Sequence, residues 1–325
     1  MKAVTVLISS AGRRVELLRG FRAALRDLRL DGRVLAADRS PLSSAFHSAD
    51  EGLVVPSCDT EEFVPRMLQL CEKQGVDLLV PTIDPELPVY AAAHADFAAV
   101  GTTVAVSAPD VVAIAGDKRA THQWLADRGF PTVRQASLPR VRAAPDSWPF
   151  PLIVKPRFGS AGVGVAVVHD PAALELAARG AEVVVETVAT GQEHTIDGLV
   201  DRAGRCVCAV PRRRIEVRAG EVSKSVTVRS PRLQALAAEI CEALPGAYGV
   251  VTLQVFVDDA GSVAVIELNG RFGGGYPLSR QAGADYPRWL LEEVVGLPSS
   301  AAADDWQDGL VMLRYDAAVF VDEPS

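Results

Sequence analysis

The first third of the chain alternates short apolar runs with segments in which apolar residues recur at helical spacing. The apolar runs predict short strands at residues 4–9, 34–37, 53–55 and 77–80. The periodic segments predict helices over residues 15–28 and 63–71, and Gly75 ends the second of them. Because strands and helices alternate over about 110 residues, we expect a parallel sheet covered by helices, which is a Rossmann-like architecture.

From residue 152 onward, short strands follow one another with few helices between them. They are predicted at residues 152–155, 165–168, 183–188, 195–200, 206–210 and 223–228. Helices are predicted only at residues 171–179 and 232–244. This order is typical of an α+β region with antiparallel sheets. The proline-rich segment 131–150 follows a clear helix over residues 118–128, so we interpret it as a joint inside a continuing structure.

Composition and charge exclude several classes of protein. The 325 residues are 49% hydrophobic and 23% charged, which is ordinary for a globular chain and excludes disorder or a fibre. Thirty-three basic against 41 acidic residues give a net charge of −8 without a long basic block, so no nucleic-acid partner is expected. No stretch approaches the ~20 apolar residues of a membrane span. Five cysteines without a CxxC pair predict reduced thiols and a cytoplasmic location.

Residues 250–271 carry the most informative pattern, two apolar strands around the turn 258–261. If the turn is centred between Ala260 and Gly261, Gln254 lies opposite Glu267. Asn269 then shares the face of Glu267, because side chains alternate along a strand.

Oxygen donors on one face, with Arg271 two positions beyond Asn269, suit a magnesium-phosphate site. An ordinary polar cross-strand pair between Gln254 and Glu267 is the alternative. The run 263–268 is otherwise apolar, which favours a buried carboxylate that needs a partner.

A glycine-rich loop follows the apolar strand that ends at Lys155. Its glycines let backbone N–H groups approach an anion closely, and the candidate residues are Gly159, Ser160, Ala161, Gly162 and Gly164. A strand follows this loop, which excludes the Walker loop and the dinucleotide fingerprint. Lys155 and Lys118 add positive charge for phosphates. A flexible hairpin turn and a surface lysine are the alternatives.

Two glutamates and several basic residues are candidates for contacts to nucleotide or substrate. Glu186, which ends an apolar strand, and Glu193 are candidates for contacts to ribose or adenine. Ser10, Arg13 and Glu86 follow predicted strands of the first sheet, where open α/β sheets place ligands. Glu86 is a candidate for binding an amino group. Candidates for binding a carboxylate or phosphate are Arg213, Arg214 and Lys224. A salt-bridged surface residue is the alternative in each case.

Taken in order, Lys118, the VKP strand with its glycine loop, VVVE, GQE, the Gln254 strand and ELNGR resemble the ATP-grasp superfamily. The resemblance is closest to carbamoyl-phosphate-synthase-like carboxylate–amine ligases, among them the pyrrolysine-pathway ligase, and covers nearly the whole chain. It implies an α/β ATP-grasp fold in three parts. These are an N-terminal Rossmann-like domain over residues 1–112, a glycine-loop lid with its leading helix over 113–185, and a C-terminal α+β metal-binding subdomain over 186–325.

The resemblance also implies roles by position. Lys118 and Lys155 would contact the ATP phosphates under the glycine loop. Glu186 and Val188 would lie at the adenine, and Glu193 at the ribose. The ligands of two Mg²⁺ ions, for which Mn²⁺ can substitute, would be Gln254, Glu267 and Asn269. Arg271, with Lys155, would be catalytic and would face the transferred phosphoryl group.

The function expected from these residues is an ATP-dependent carboxylate–amine ligase. It would activate a small carboxylate, such as an amino acid or a related metabolite, as an acyl phosphate, couple it to an amine and release ADP and phosphate. A homodimer is compatible with this expectation. Two alternatives stay open, namely carboxyphosphate or carbamate chemistry and a non-catalytic ATP-binding regulatory protein. A nicotinamide oxidoreductase ranks last, because residues 9–12 lack the glycine fingerprint.

Overall fold

The computed structural model describes residues 3–159, 162–180, 182–218 and 220–322. Its first sheet is parallel, with strand order β3-β2-β1-β4-β5. The strands are β1 (Val4–Ser9), β2 (Gly32–Asp38), β3 (Glu51–Val54), β4 (Leu78–Pro81) and β5 (Thr103–Val104). The helices between them are α1 (Val15–Asp27), α2 (Ser44–Ser48), α3 (Phe63–Gln74), α4 (Leu87–Ala92) and α5 (His94–Ala99). The Rossmann-like architecture predicted from the alternating pattern is confirmed.

Apolar periodicity explains how these helices pack. Leu18 and Phe21 of α1 are fully buried against the sheet. Gly75 ends α3 in the left-handed conformation at φ +61°, which a residue with a side chain adopts at a cost. Because β1 and β4 pair in parallel, their carboxyl ends lie side by side.

A second, antiparallel sheet has the order β6-β9-β7-β8 and carries the glycine loop. It is approached through α6 (Pro109–Gly116) and α7 (Lys118–Asp127), and its strands are β6 (Gln135–Ser137), β7 (Leu152–Pro156), β8 (Ala166–Val168) and β9 (Val183–Thr187). The helices α8 (Leu138–Ala143) and α9 (Pro171–Ala177) cover it. The segment 131–150, expected to be a joint, contributes an edge strand and a helix to this unit.

The third sheet has six strands in the order β14-β13-β10-β11-β12-β15. They are β10 (Gln192–Val200), β11 (Cys206–Arg218), β12 (Glu221–Thr227), β13 (Gly249–Val257), β14 (Val263–Asn269) and β15 (Val311–Leu313). The helices of this region are α10 (Pro231–Ala243), α11 (Tyr276–Gln281) and α12 (Tyr286–Val294).

Two features of the third sheet differ from the sequence-based expectation. β11 continues to Arg218, although its predicted end was residue 210, because the buried Asp197 neutralises Arg212 and allows a charged segment to stay in the sheet. The helices α11 and α12 were not predicted. They pack against α1 and β1 in one shared core, where Phe272 meets Phe21 edge-on at 6.3 Å between ring centroids. This packing holds the end of β14 against the first sheet.

Candidate active site

A cavity of about 730 Å³ lies where the three sheets meet. Its wall includes the end of β4, the start of α7, the glycine loop, β9, β10, β11 and the β13–β14 hairpin. Predicted site residues that line it are Lys118, Lys155, Gly159, Gly162, Glu186, Val188, Glu193, Arg214, Gln254, Glu267, Asn269 and Arg271. Residues distant in the sequence are therefore brought together around one space large enough for a nucleotide.

The β13–β14 hairpin sets Gln254 directly opposite Glu267, as predicted. The turn, however, is centred on Ala260, with Asp258 and Ser262 closing a loop whose Gly261 has φ +83°. Pairing from that centre alone would misalign Gln254 and Glu267. A bulge at Ile266 adds one residue to β14 and restores the pairing. As a result, both Ile266 and Glu267 line the cavity.

Glu267 is half-buried, and its carboxylate has no hydrogen-bond or ion-pair partner among the described residues. Burial raises its pKa, and the positive charges of Lys118 and Lys155 oppose that effect. Asn269 Oδ1 accepts a hydrogen bond of 3.3 Å from Arg271, and Gln254 Oε1 accepts one of 3.5 Å from Arg214. Each amide oxygen keeps a second lone pair. An unpartnered carboxylate between two amide oxygens fits a hard cation such as Mg²⁺.

The two predicted phosphate lysines are both linked to the buried carboxylate of Glu186, Lys155 by its side chain and Lys118 by its backbone. Lys155 Nζ pairs with Glu186 Oε2 at 2.7 Å, and both side chains are buried. Gln135 donates to the other oxygen of Glu186 at 2.8 Å and to the backbone carbonyl of Lys118 at 3.1 Å. Because an ammonium group has three donors, Lys155 keeps two of them for another acceptor. Burial lowers the pKa of Lys118, and the negative charge of Glu267 opposes that effect.

The glycine loop is tied to the start of α7. Lys118 Nζ donates to the carbonyl of Gly159 at 2.6 Å. Arg157, at the start of the loop, forms ion pairs with Asp117, which caps α7, and with Glu182 at 2.7 Å. Gly159, Gly162 and Gly164 all have positive φ, so this backbone path favours glycine. Ser160 and Ala161 lie outside the described residues.

Arg214 of β11 connects the predicted ribose and metal residues. Its Nη1 donates to Glu193 and contacts Gln254 Oε1, while its Nε is buried without a partner in the described chain. Arg271 is held from the first sheet, where Asp84 accepts from its Nε at 2.8 Å and from its Nη2 at 2.5 Å. Both arginines therefore have fixed orientations at the cavity wall.

Several predicted substrate residues do not reach the cavity. Glu86 is 0% exposed, and its two oxygens accept from Ser9, Ser10 and the backbone of Thr82 and Ile83. This geometry gives Glu86 and Ser10 a role in holding the loops after β1 and β4, and does not support amino-group binding. Arg13 is exposed.

Two further predicted substrate residues, Arg213 and Lys224, also lie outside the cavity, and the strands that carry them explain why. Arg213 is exposed, because alternation along β11 turns it away from Arg212 and Arg214. Lys224 pairs with Glu216 at 2.7 Å outside the cavity.

Four charged residues of the cavity wall were not among the predicted site residues: Arg14, Asp84, Arg212 and Glu221. Arg14 and Asp84 follow β1 and β4, so their positions at the ends of parallel strands were the available signal. Arg212 was hidden in the run 212–214, where only the alternation of the strand decides which arginine faces inward.

Within the described part of the chain, no helix is long and apolar enough to cross a membrane.

Comparison with known proteins bears on the fold and the family. The model of the ATP-grasp domain matches residues 115–275, and the model of the PylC-like N-terminal domain matches residues 6–105. Formate-dependent phosphoribosylglycinamide formyltransferase from Synechococcus sp. (strain RCC307) is 26% identical over 301 residues, covering 86% of this chain and 74% of the relative.

Solved structures share the fold at low sequence identity. The biotin carboxylase domain of Hydrogenobacter thermophilus 2-oxoglutarate carboxylase, solved with MgADP, ADP and bicarbonate, has a TM-score of 0.75 at 16% identity and covers 96% of this chain and 74% of that one. N5-carboxyaminoimidazole synthetase from Staphylococcus aureus, solved with ADP, has a TM-score of 0.72 at 16% identity, covering 93% and 80%.

These matches confirm the predicted fold, family and enzyme class. The chain therefore contains an ATP-grasp domain that follows a PylC-like N-terminal domain, and it is an ATP-grasp ligase of the class that forms C–N bonds.

Proposed function

We propose that the protein activates a small carboxylate, an amino acid or a related metabolite, as an acyl phosphate and couples it to an amine, releasing ADP and phosphate. The observation that carries this proposal is the unpartnered Glu267 carboxylate in the wall of a cavity that is also lined by Lys118, Lys155 and Arg271. A carboxylate without a direct partner is suited to a metal ion, and the cationic side chains in the same wall are suited to phosphate charge.

The nucleotide would enter between β9 and the hairpin. The adenine would lie against the end of β9, near Glu186 and Val188, and the ribose would bind Glu193, which Arg214 already orients. Lys118 and Lys155 would hold the phosphates as point charges, and the loop 159–164 would cover them. The ligands of two Mg²⁺ ions would be Gln254, Glu267 and Asn269. When bound, Mg²⁺ neutralises phosphate charge during transfer.

The chain's own residues then lower the barrier by position and charge. A substrate carboxylate oxygen attacks the γ-phosphorus, and the β–γ bridging bond breaks to leave ADP. Arg271, held in line by Asp84, would donate hydrogen bonds to the transferring group as its charge moves. The amine nitrogen next attacks the acyl carbon, and inorganic phosphate leaves as the C–N bond forms. A closed glycine loop would exclude water, which otherwise hydrolyses the acyl phosphate.

The test measures release of ADP and phosphate by the purified chain with MgATP and pooled carboxylates and amines. Mass spectrometry then identifies the products. We expect ADP and phosphate only when both substrates are present, together with a product that is the condensed pair. Release of AMP and pyrophosphate would contradict the proposal.

Two of the similar solved structures suggest testing bicarbonate as a substrate in the same assay. The Hydrogenobacter domain was solved with bicarbonate, and the Staphylococcus enzyme is a carboxyaminoimidazole synthetase. ADP release that needs bicarbonate and no other carboxylate would assign carboxyphosphate chemistry instead. A cytoplasmic location and a homodimer remain part of the proposal, and the solution mass of the purified chain tests the dimer.

A further inference from the structure

Two arginines at the end of the cavity nearest the first sheet have donors that the protein does not use. Arg212 is 1% exposed and donates its Nε and Nη2 to Asp197 at 2.7 and 2.9 Å, while its Nη1 is buried and has no partner in the described chain. A buried N–H without an acceptor costs about 1–3 kcal/mol. Because Arg212 lines the cavity, a ligand is the natural source of that acceptor.

Arg14 is the second cation. It is half-buried and forms no ion pair with any described residue, and its one side-chain hydrogen bond is from Nη2 to the carbonyl of Thr82 at 3.3 Å. Burial, together with the nearby Arg271, lowers the pKa of Arg14 to about 10. A guanidinium in this environment is stabilised by an added anion.

The nearby carboxylates are already engaged. Asp84 holds Arg271, and Asp197 holds Arg212. Glu221 lies beside Arg14, since its Oε1 would be 3.8 Å from a Cβ on Gly274, but it already pairs with Arg314 at 3.0 Å and with Arg13 at 3.7 Å. The positive charge of Arg14 and the Nη1 donor of Arg212 are therefore left over at this end of the cavity.

Residues 273–275 lie against both arginines. A Cβ on Gly274 would lie 3.4 Å from Arg14 Nη1, and one on Gly275 would lie 2.3 Å from Arg212 Nη1. Consecutive Cα atoms are about 3.8 Å apart, so both guanidinium groups meet the same short turn. Neither Gly274 nor Gly275 has positive φ, so space beside the arginines, and not backbone conformation, accounts for the glycines there.

We propose that Arg14 and Arg212 form a subsite for a substrate carboxylate that does not react. One nitrogen from each guanidinium matches the two oxygens of a single carboxylate. The turn begins two residues after Arg271. One small substrate could therefore place a carboxylate here and its reacting group at the transferring phosphoryl group. A substrate with both a reacting group and a spare carboxylate is an amino acid or a dicarboxylate. This inference rests on the proposed function, because it names the substrate class of the same cavity.

The first arm of the test measures binding and does not depend on turnover. Calorimetric titration of the full chain, with MgADP present, uses each of the twenty amino acids, the dicarboxylates malonate to adipate, and glycerol phosphate as a phosphate monoester. We expect at least one amino acid or dicarboxylate to bind. The derivative in which its spare carboxylate is replaced by an amide should bind about 10-fold more weakly or worse, because a charge-assisted contact is lost. Which class binds separates an amino acid from a dicarboxylate. Absence of binding by all of them, or binding only of glycerol phosphate as a phosphate monoester, would overturn the inference.

The second arm uses variants of the same chain. Arg14→Gln should weaken the bound probe at least about 10-fold while ADP affinity stays within twofold. Arg212→Lys keeps a charge for Asp197 but removes the Nη1 donor, and should weaken the probe without unfolding the protein. Arg19→Gln, on the exposed face of α1, is the matched control and should change nothing. Equal probe affinity in wild type and Arg14→Gln would overturn the subsite.

Turnover separates this inference from the proposed function. If the probe binds through Arg14 but no ADP forms with any amine or carboxylate, the ligase proposal fails and the subsite stands. If ADP and a condensed product form from a substrate without a spare carboxylate, the ligase proposal stands and the subsite fails.

Discussion

Asp84 binds Arg271 across 187 residues of sequence, with two hydrogen bonds of 2.8 and 2.5 Å in a bidentate ion pair. Asp84 follows the fourth strand of the parallel sheet, whereas Arg271 follows the strand that carries Glu267 and Asn269. The first sheet thus fixes the orientation of an arginine that belongs to the other half of the cavity. The geometry of the cavity around Arg271 therefore depends on how the two parts of the chain pack together.

Asp84→Asn keeps the size of the side chain and removes the charge that orients Arg271. We expect kcat to fall about 10-fold or more, since loss of charge-assisted hydrogen bonds costs about 1.5–3 kcal/mol. If Asp84 acts as a positioning residue through Arg271, adding Asp84→Asn to Arg271→Ala should cost little more. The exposed Asp259→Asn is the control. Additive losses in the double variant would contradict this role.

Arg271→Ala should lower kcat by about 100-fold or more while the KM for ATP changes much less. The reason is that Arg271 is expected to contact the group that moves, so its hydrogen bonds strengthen in the transition state. Steady-state kinetics with ATP varied at saturating substrate gives both constants. A large rise in KM with kcat unchanged would instead assign Arg271 to ground-state binding of the nucleotide.

The alternation of strands and helices in the first sheet could be predicted from the sequence, because hydrophobic period is a local property. The partner of Glu267 was also predicted correctly, but from a turn centre that the structure does not have. The hairpin also shows the limit of such reasoning. Its turn is centred on Ala260, and the bulge at Ile266, which carries no recognisable signal in an apolar run, is what pairs Gln254 with Glu267.

Long-range contacts account for what could not be predicted. Arg212 could not be singled out among residues 212–214, because Asp197, its partner, lies on another strand. Arg13 was preferred to Arg14 for a similar reason, since the turn after β1 has no period from which orientation can be predicted. The helices α11 and α12 are stabilised by packing on α1, so their own short sequences gave little signal.

Glu267→Gln should abolish turnover and at the same time stabilise the ligand-free protein at neutral pH. Burial without a partner raises the pKa of Glu267 in the folded state. Below the pKa of the unfolded chain, both states carry the proton, and wild type and variant should be equally stable. As pH rises through the raised pKa of the folded protein, wild type loses stability relative to the variant. Thermal unfolding between pH 4 and 8 measures the difference. A wild type more stable than the variant at pH 8 would contradict an uncompensated carboxylate.

Arg213 and Arg214 form a matched pair, because they are adjacent in β11 and face opposite sides of the sheet. Arg214→Ala removes the partner of Glu193 and the contact to Gln254, so we expect the KM for ATP to rise about 10-fold. Arg213→Ala removes an exposed side chain and should leave kcat and KM within about twofold. Both follow from ATP titrations in the ADP-release assay, with thermal unfolding to confirm that each variant is folded. If Arg213→Ala were the more damaging change, the register of β11 at the cavity would have to differ by one residue, since a one-residue shift exchanges the two faces of a strand.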